Sequence, residues 1–213
     1  MKCIICEARK PRRYCPGVRG DICSVCCGTE RENTVDCPFE CPYLRESRLH
    51  EKEGEFDEEA TSKIPFLDIR VPERYLHDKA DCAQVVTMAI LDAIFSTRGA
   101  IDYDVREAFE ALIRTHKTLQ SGLVYESRPT NPIAGEIYDH FQRRITEDRD
   151  SVAKLTGLSV RDADILAMLL ILHRKEYIRN NGRKRGRAFI DYLREFYPTH
   201  AESMNPGTSP LIV

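Results

Sequence analysis

Long apolar runs are missing from this sequence. The longest, at 165–172, holds eight residues, against the roughly 20 needed to cross a bilayer, so a membrane span is not expected. The first ten residues, MKCIICEARK, carry no apolar stretch of secretory-signal length. A charge excess is missing too. The 32 Lys and Arg stand against 34 Asp and Glu, a formal net charge of -2, so polyanion binding would need a local asymmetry. No G-x4-G-K-[ST], H-E-x-x-H or G-x-S-x-G occurs, which leaves an enzyme without its usual signatures. Strand-like alternation is absent after residue 75, and no aromatic-rich RNA-binding signature accompanies the basic residues. These absences point to a soluble, cytoplasmic, non-catalytic protein.

Cysteine is what the sequence has in excess. Nine are present, and eight of them lie between Cys3 and Cys41. In a reducing compartment such density reads as metal ligation rather than disulfide bonding. The spacing is Cys3-x2-Cys6, then Cys15, then Cys23-x2-Cys26-Cys27, then Cys37-x3-Cys41. Two thiolates two residues apart on a tight turn present one edge of a tetrahedron, and two such edges close a zinc site. Eight thiolates therefore fit two all-cysteine sites, with two Zn2+ per chain as the expected cofactor. An iron–sulfur cluster would use four and leave four unexplained. Disulfides or a reactive redox centre are the other readings. A site with four protein sulfurs has no open position for water, so its role is structural.

The run CIIC–RYCPG–ICSVCC resembles the HIT-type zinc finger, a short cross-brace module. Cys3 and Cys6 match its first pair, Cys15 with Pro16 the start of its second segment, and Cys23-Ser24 through Cys27 its third. Val18 stands where that family has a further cysteine, and Cys37 and Cys41 replace its final His and Cys. The resemblance implies Cys3, Cys6, Cys23 and Cys27 at one zinc, and Cys15, Cys26, Cys37 and Cys41 at the other. Exchange of Cys26 and Cys27 satisfies the same count. It also implies an interaction module rather than an enzyme. The stretch CCGTERENTVDCPFECPYL, followed by a helical region, is similar to a group of uncharacterised bacterial cysteine-rich zinc-binding proteins, which carries no activity to transfer.

Composition divides the chain into a cysteine module at 1–48, an acidic linker at 49–74, an all-α domain at 75–198 and a disordered tail at 199–213. The stretch EKEGEFDEE at 51–59 carries six acids and one lysine, which reads as a solvated linker. Beyond residue 75 the apolar residues recur near a 3.6 period. Helices are expected at 81–97, stopped by Gly99, and at 104–120, closed by Gly122. Asn131-Pro132 opens a third, with N-cap and first-turn proline. Ser159 opens a fourth in a capping-box-like pair with Asp162. Ile165, Leu166, Leu169, Leu170 and Leu172 cover most of its surface, so it is expected to be the central helix. A fifth runs over 187–197, stopped by Pro198. Five helices on short connections suggest a compact bundle.

Two basic runs are candidate partner surfaces. Arg9, Lys10, Arg12, Arg13 and Arg19 lie between the zinc ligands, where they would also offset the negative charge of the tetrathiolate centres. Arg179, Arg183, Lys184, Arg185 and Arg187 stand without an intervening acid around the loop NNGRKRGR; such a loop can meet phosphates with side chains and backbone N–H groups. Glu136 and His140, one helical turn apart with Asp139 beside them, read as a surface pair rather than half of a di-iron site. His116, His173 and Cys82 read as residues at or in the core. The functional expectation is an adaptor for a protein partner, with nucleic-acid binding through 9–19 and 179–187 as the alternative. An enzyme with a pocket in the helical domain is the most distant reading.

Overall fold

The structure, a computed structural model, describes residues 1–51, 62 and 64–204. All but the first residue of the acidic stretch 51–59, and residues 205–213 of the expected tail, lie outside them. The N-terminal part folds around a hairpin of β1 (Arg13–Cys15) and β2 (Gly20–Ile22), paired antiparallel with Arg13 opposite Ile22 and Cys15 opposite Gly20. Two short helices follow, α1 (Ser24–Glu30) and α2 (Pro42–Arg48). The helical part comprises α3 (Tyr75–Asp78), α4 (Ala80–Ser96), α5 (Asp102–Gln120), α6 (Pro132–Thr156), α7 (Asp162–Arg179), α8 (Ala188–Phe196) and α9 (Pro198–Met204). The five long helices match the expected bundle, and α3 and α9 are additions to it. No helix among the described residues is long and apolar enough to cross a membrane.

Two separate cores form. In the helical part, Val86, Ile90, Phe109, Leu112, Ile137, Phe141, Ile165, Leu169 and Phe189 pack into one continuous apolar interior. Helix α7 is its centre, buried along most of its length from Asp164 to Glu176. The module's interior holds only Ile22, Val35 and Leu44 besides six cysteines. Of the apolar residues the module could have used, Ile4 and Val25 point outward. Phe39 leaves the module altogether and packs on the helical core.

Local signals place the long helices. Asn131 caps α6 by accepting from the N–H groups of Ile133 (2.9 Å) and Ala134 (3.5 Å), with Pro132 in the first turn. Gly157, at φ +73°, ends it in the left-handed conformation that favours glycine. Three expectations are corrected. Helix α7 begins at Asp162 rather than Ser159, and it is Asp164 that accepts from the N–H of Arg161 (3.0 Å). Residues 64–74 do not behave as a solvated linker: Ile64 is buried, Phe66, Ile69 and Val71 lean on the helical core, and Arg174 donates to the Ile69 carbonyl (2.8 Å). Pro198 opens α9 instead of ending the fold, because a residue with no N–H suits a first helical turn; residues 199–204 are helical.

Candidate metal centre and the loop docked against it

The first cysteine pair sits on a turn in which the N–H of Cys3 donates to the Arg9 carbonyl (2.9 Å) and that of Glu7 to the Cys3 carbonyl (2.8 Å). Glu7 takes φ +52° to close it. The N–H of Ile4 bonds the Asp21 carbonyl (3.1 Å), which fixes this turn beside β2. The approach is close enough that a Cβ on Gly20 would meet Ile4 Cδ1 at 2.5 Å. Cys23 follows β2 directly and caps α1, its sulfur accepting from the N–H of Cys26 (3.4 Å).

These contacts bring the sulfurs of Cys3, Cys6, Cys23 and Cys26 within 4.8 Å of one another, three of the residues buried and Cys6 partly exposed. A tetrahedral zinc with Zn–S bonds of about 2.3 Å needs sulfurs about 3.8 Å apart, so little contraction would close the site. The set has the electrostatics of a cation site. Burial opposes ionisation of Cys3, but the N–H groups of Cys6, Cys23 and Ile5 outweigh it and bring its thiol down to about 6. The N–H groups of Arg9 and Ala8 lower Cys6. Burial pushes the Cys26 thiol up to about 12, reinforced by the sulfurs of Cys23, Cys6 and Cys3 around it. Protein N–H groups favour the thiolate at Cys3 and Cys6, and the four gathered sulfurs are compatible with one metal site.

The family resemblance implied Cys27 in this set, with exchange for Cys26 left open, and the structure brings Cys26 there. Cys26 shares a helical face with the capping Cys23, three residues back, whereas Cys27 is turned about 100° further round α1. Its sulfur instead meets Arg13 Nη1 (3.7 Å) and Arg31 Nη2 (3.9 Å). Cys27, Cys15, Cys37 and Cys41 line a separate void of about 10 Å3 beneath Ile22 and Leu44, about the size of one water-sized sphere. Burial, then the neighbouring Cys15 and Cys41, pushes the Cys37 thiol up, against the N–H of Glu32. Among the described residues, no second group of metal-ligating side chains is as tightly gathered as the first.

The first basic run is built around the sulfurs. Arg9 hydrogen-bonds the Cys23 sulfur, and this contact holds its guanidinium pKa up. Arg13 lies over the Tyr43 ring at 3.9 Å on its way to Cys27. Both side chains do what the charge-offset reading of this run requires.

The second run is displayed to solvent only in part, at Lys184 and Arg185. It is docked against the cysteine module. Arg183 Nη1 donates to the Arg31 carbonyl (2.6 Å), and Arg185 donates through its backbone N–H to the Glu32 carbonyl (2.7 Å). Asp36 receives Arg185 (3.1 Å) and Arg187 (2.6 Å). Arg179 lies over the Tyr192 ring at 4.3 Å. Docking against the module thus runs through Arg183, Arg185 and Arg187.

At the centre of this contact is Glu32, which sequence reasoning missed. It is fully buried and takes φ +51°. Its carboxylate accepts from Arg48 Nη2 (2.6 Å), Asn181 Nδ2 (3.0 Å) and the N–H of Arg187 (3.1 Å). Arg48 also reaches Glu51 (2.6 Å) and Asp191 (3.3 Å). Phe39 lies between the Arg187 and Arg194 guanidinium groups, 4.7 and 4.6 Å away. No residue type or spacing around Glu32 marks it as a junction; the acids beside it in the sequence are alike on paper.

The remaining candidates fall into the fold. His140 Nδ1 lies 2.9 Å from Ser96 Oγ, and Asp139 pairs with Arg128. His116 and His173 are core residues rather than edge ones, 2% and 0% exposed. Cys82 is buried with its sulfur 3.9 Å from the Ser159 carbonyl. Comparison with protein-family models, with curated proteins and with solved structures finds no match to the chain.

Proposed function

We propose that residues 1–48 are a zinc-held, non-catalytic binding module and that the chain acts as an adaptor for a protein partner. The observation that carries the metal reading is the convergence of four cysteine sulfurs within 4.8 Å on two knuckles of a hairpin. An all-thiolate donor set suits zinc, and a filled tetrahedron gives the ion a structural role. A second zinc would sit among Cys15, Cys27, Cys37 and Cys41, whose shared void and interleaving with the first set agree with a cross-brace. The resemblance to HIT-type fingers supports both ions. Zinc binding by a peptide of this size contributes about 10–16 kcal/mol at neutral pH, which three buried aliphatic side chains could not replace.

The adaptor reading rests on what the module leaves outside. Ile4, Tyr14 and Val25 are 50%, 59% and 47% exposed, although the module is short of apolar residues for its own core. Apolar groups kept at a surface suit a partner. Elemental analysis with native mass spectrometry tests the metal: two zinc ions per chain are expected. One zinc would confine the site to Cys3, Cys6, Cys23 and Cys26, and iron with visible absorbance would overturn the reading. For the adaptor, salt-insensitive co-purification of one protein should be lost when Ile4, Tyr14 and Val25 become Ser with zinc retained. Salt-sensitive retention of the zinc-loaded chain on a polyanion would favour nucleic acid instead.

A further inference from the structure

The donors that hold the basic loop against the module end on one short stretch. Arg183 reaches the Arg31 carbonyl and, at 3.4 Å, the Gly28 carbonyl. Asn181, Arg185 and Arg187 reach Glu32; Arg185 and Arg187 reach Asp36; and Arg187 also reaches the Cys37 carbonyl. Every one of these acceptors lies within residues 28–37. That stretch is bounded by Cys26 and Cys27 on one side and Cys37 on the other, and between them only Glu32 and Val35 are buried. Its shape therefore depends on the sulfur centres that close it.

The loop keeps its own framework without the module. Asp102 donates its N–H to the Gly186 carbonyl (2.9 Å) and accepts from the N–H groups of Phe189 (3.0 Å) and Ile190 (3.1 Å). Asn180 and Asn181 side chains accept from the backbone of Gly182 (2.7 Å) and Arg183 (3.1 Å). Of the four cations on this preshaped loop, Arg183 and Arg187 are thus engaged by the module, while Lys184 and Arg185 stay exposed at its edge; on the metal reading, the covering stretch keeps its shape only while the ion is bound.

We propose that the 180–187 loop is a binding site for a phosphate chain, masked by the cysteine module and opened when the module loses its metal. The inference rests on the metal reading above. Folding of the module removes the binding-competent state, so apparent affinity falls by the fraction of chains that remain open. Once freed, the loop offers four cations to a phosphodiester or polyphosphate backbone, the class of contact that guanidinium groups make bidentately.

The test uses the full chain and a labelled oligothymidylate. The chelated chain should bind at least about tenfold more tightly than the zinc-loaded chain. Its log K should fall against log salt with a slope of about -2 to -3. Arg183→Ala, Lys184→Ala and Arg185→Ala together should remove most of that gain. An independent arm leaves the metal in place: Glu32→Gln with Asp36→Asn removes the two carboxylates of the latch. This variant should gain affinity while native mass spectrometry shows an unchanged metal count. Displacement by inorganic polyphosphate would identify a bare phosphate chain as sufficient, and resistance would identify the nucleic-acid strand. The proposal fails if the latch variant binds no better than the parent chain. It fails equally if the triple substitution leaves the gain intact, since Arg9–Arg19 would then carry it. Absence of metal from the purified chain would instead sink the metal reading, and the latch variant would still decide whether the loop is masked.

Discussion

The two halves of this chain keep their shape by different means. The helical part buries a wide apolar interior in which Ile90, Phe109, Phe141, Ile165 and Phe189 interlock across five helices. The module buries mostly sulfur, with Ile22, Val35 and Leu44 as its only other buried apolar members. A methylene interior is stabilised by the removal of apolar surface from water and needs no bound ion. In the module, six buried cysteines stand where such side chains would be. Glu32 joins the two, with Arg48 on one side and Asn181 and the Arg187 main chain on the other.

Chelation should break this comparison most visibly. Amides of 1–48 should lose their hydrogen-exchange protection while those of α4 to α8 keep theirs, since the metal contribution of about 10–16 kcal/mol belongs to the module alone. Uniform loss of protection would mean that the helical part cannot stand without the module. Cys6→Ser should likewise cost one metal per chain, and Cys82→Ser should cost none.

The converse substitution lies in the apolar interior. Phe141→Ala should destabilise the helical transition by about 3–5 kcal/mol in urea, with the zinc count unaltered in native mass spectrometry. A lost zinc would show that the two cores are more tightly coupled than their packing indicates.

A smaller effect concerns pH. Burial pushes the Asp102 carboxyl up to about 7, against the N–H groups of Phe189 and Ile190, with Glu176 and Glu32 adding to the rise. A carboxyl raised in the folded state binds more protons there than in the unfolded chain. Its contribution is therefore complete below about pH 4 and is lost as pH climbs toward about 7. Denaturant midpoints of the helical transition at about pH 5 and about pH 8 should differ more in the parent chain than in Asp102→Asn. Equal pH dependence in the two would remove Asp102 as the cause. The smallest expected effect is at the start of α6, where Asn131→Ala should cost about 1 kcal/mol and leave the metal untouched.

Much of this was legible in the residues, for reasons that differ by region. Val105, Ala108 and Leu112, or Ile133, Ile137 and Phe141, repeat at helical spacing because one face must meet a core, so α5 and α6 announce themselves. Asn131-Pro132 marks an end by local chemistry. The gathering of cysteines was legible by count and by the two-residue spacing. The choice between Cys26 and Cys27 was not, since it depends on how α1 is rotated over the hairpin, and neighbouring residues carry no record of that. Pro198 was ambiguous in principle: a residue without an N–H ends one helix as readily as it begins another. The basic loop was ambiguous for a related reason. A run of arginines states that carboxylates or phosphates will be near, but not whether they come from another molecule or from Glu32 and Asp36.

The position of Glu32 has a consequence for how freely the module could be moved between proteins. Grafted elsewhere, residues 1–48 would keep their sulfurs and one guanidinium partner, Arg48, but the carboxylate would lose Asn181 and the main chain of Arg187. The length of chain between Cys27 and Cys37 is thus tailored to the helices it meets. Insertions there should leave the Cys3, Cys6, Cys23 and Cys26 cluster intact and be rejected by the junction. Such a module is a fitted part rather than an interchangeable cassette.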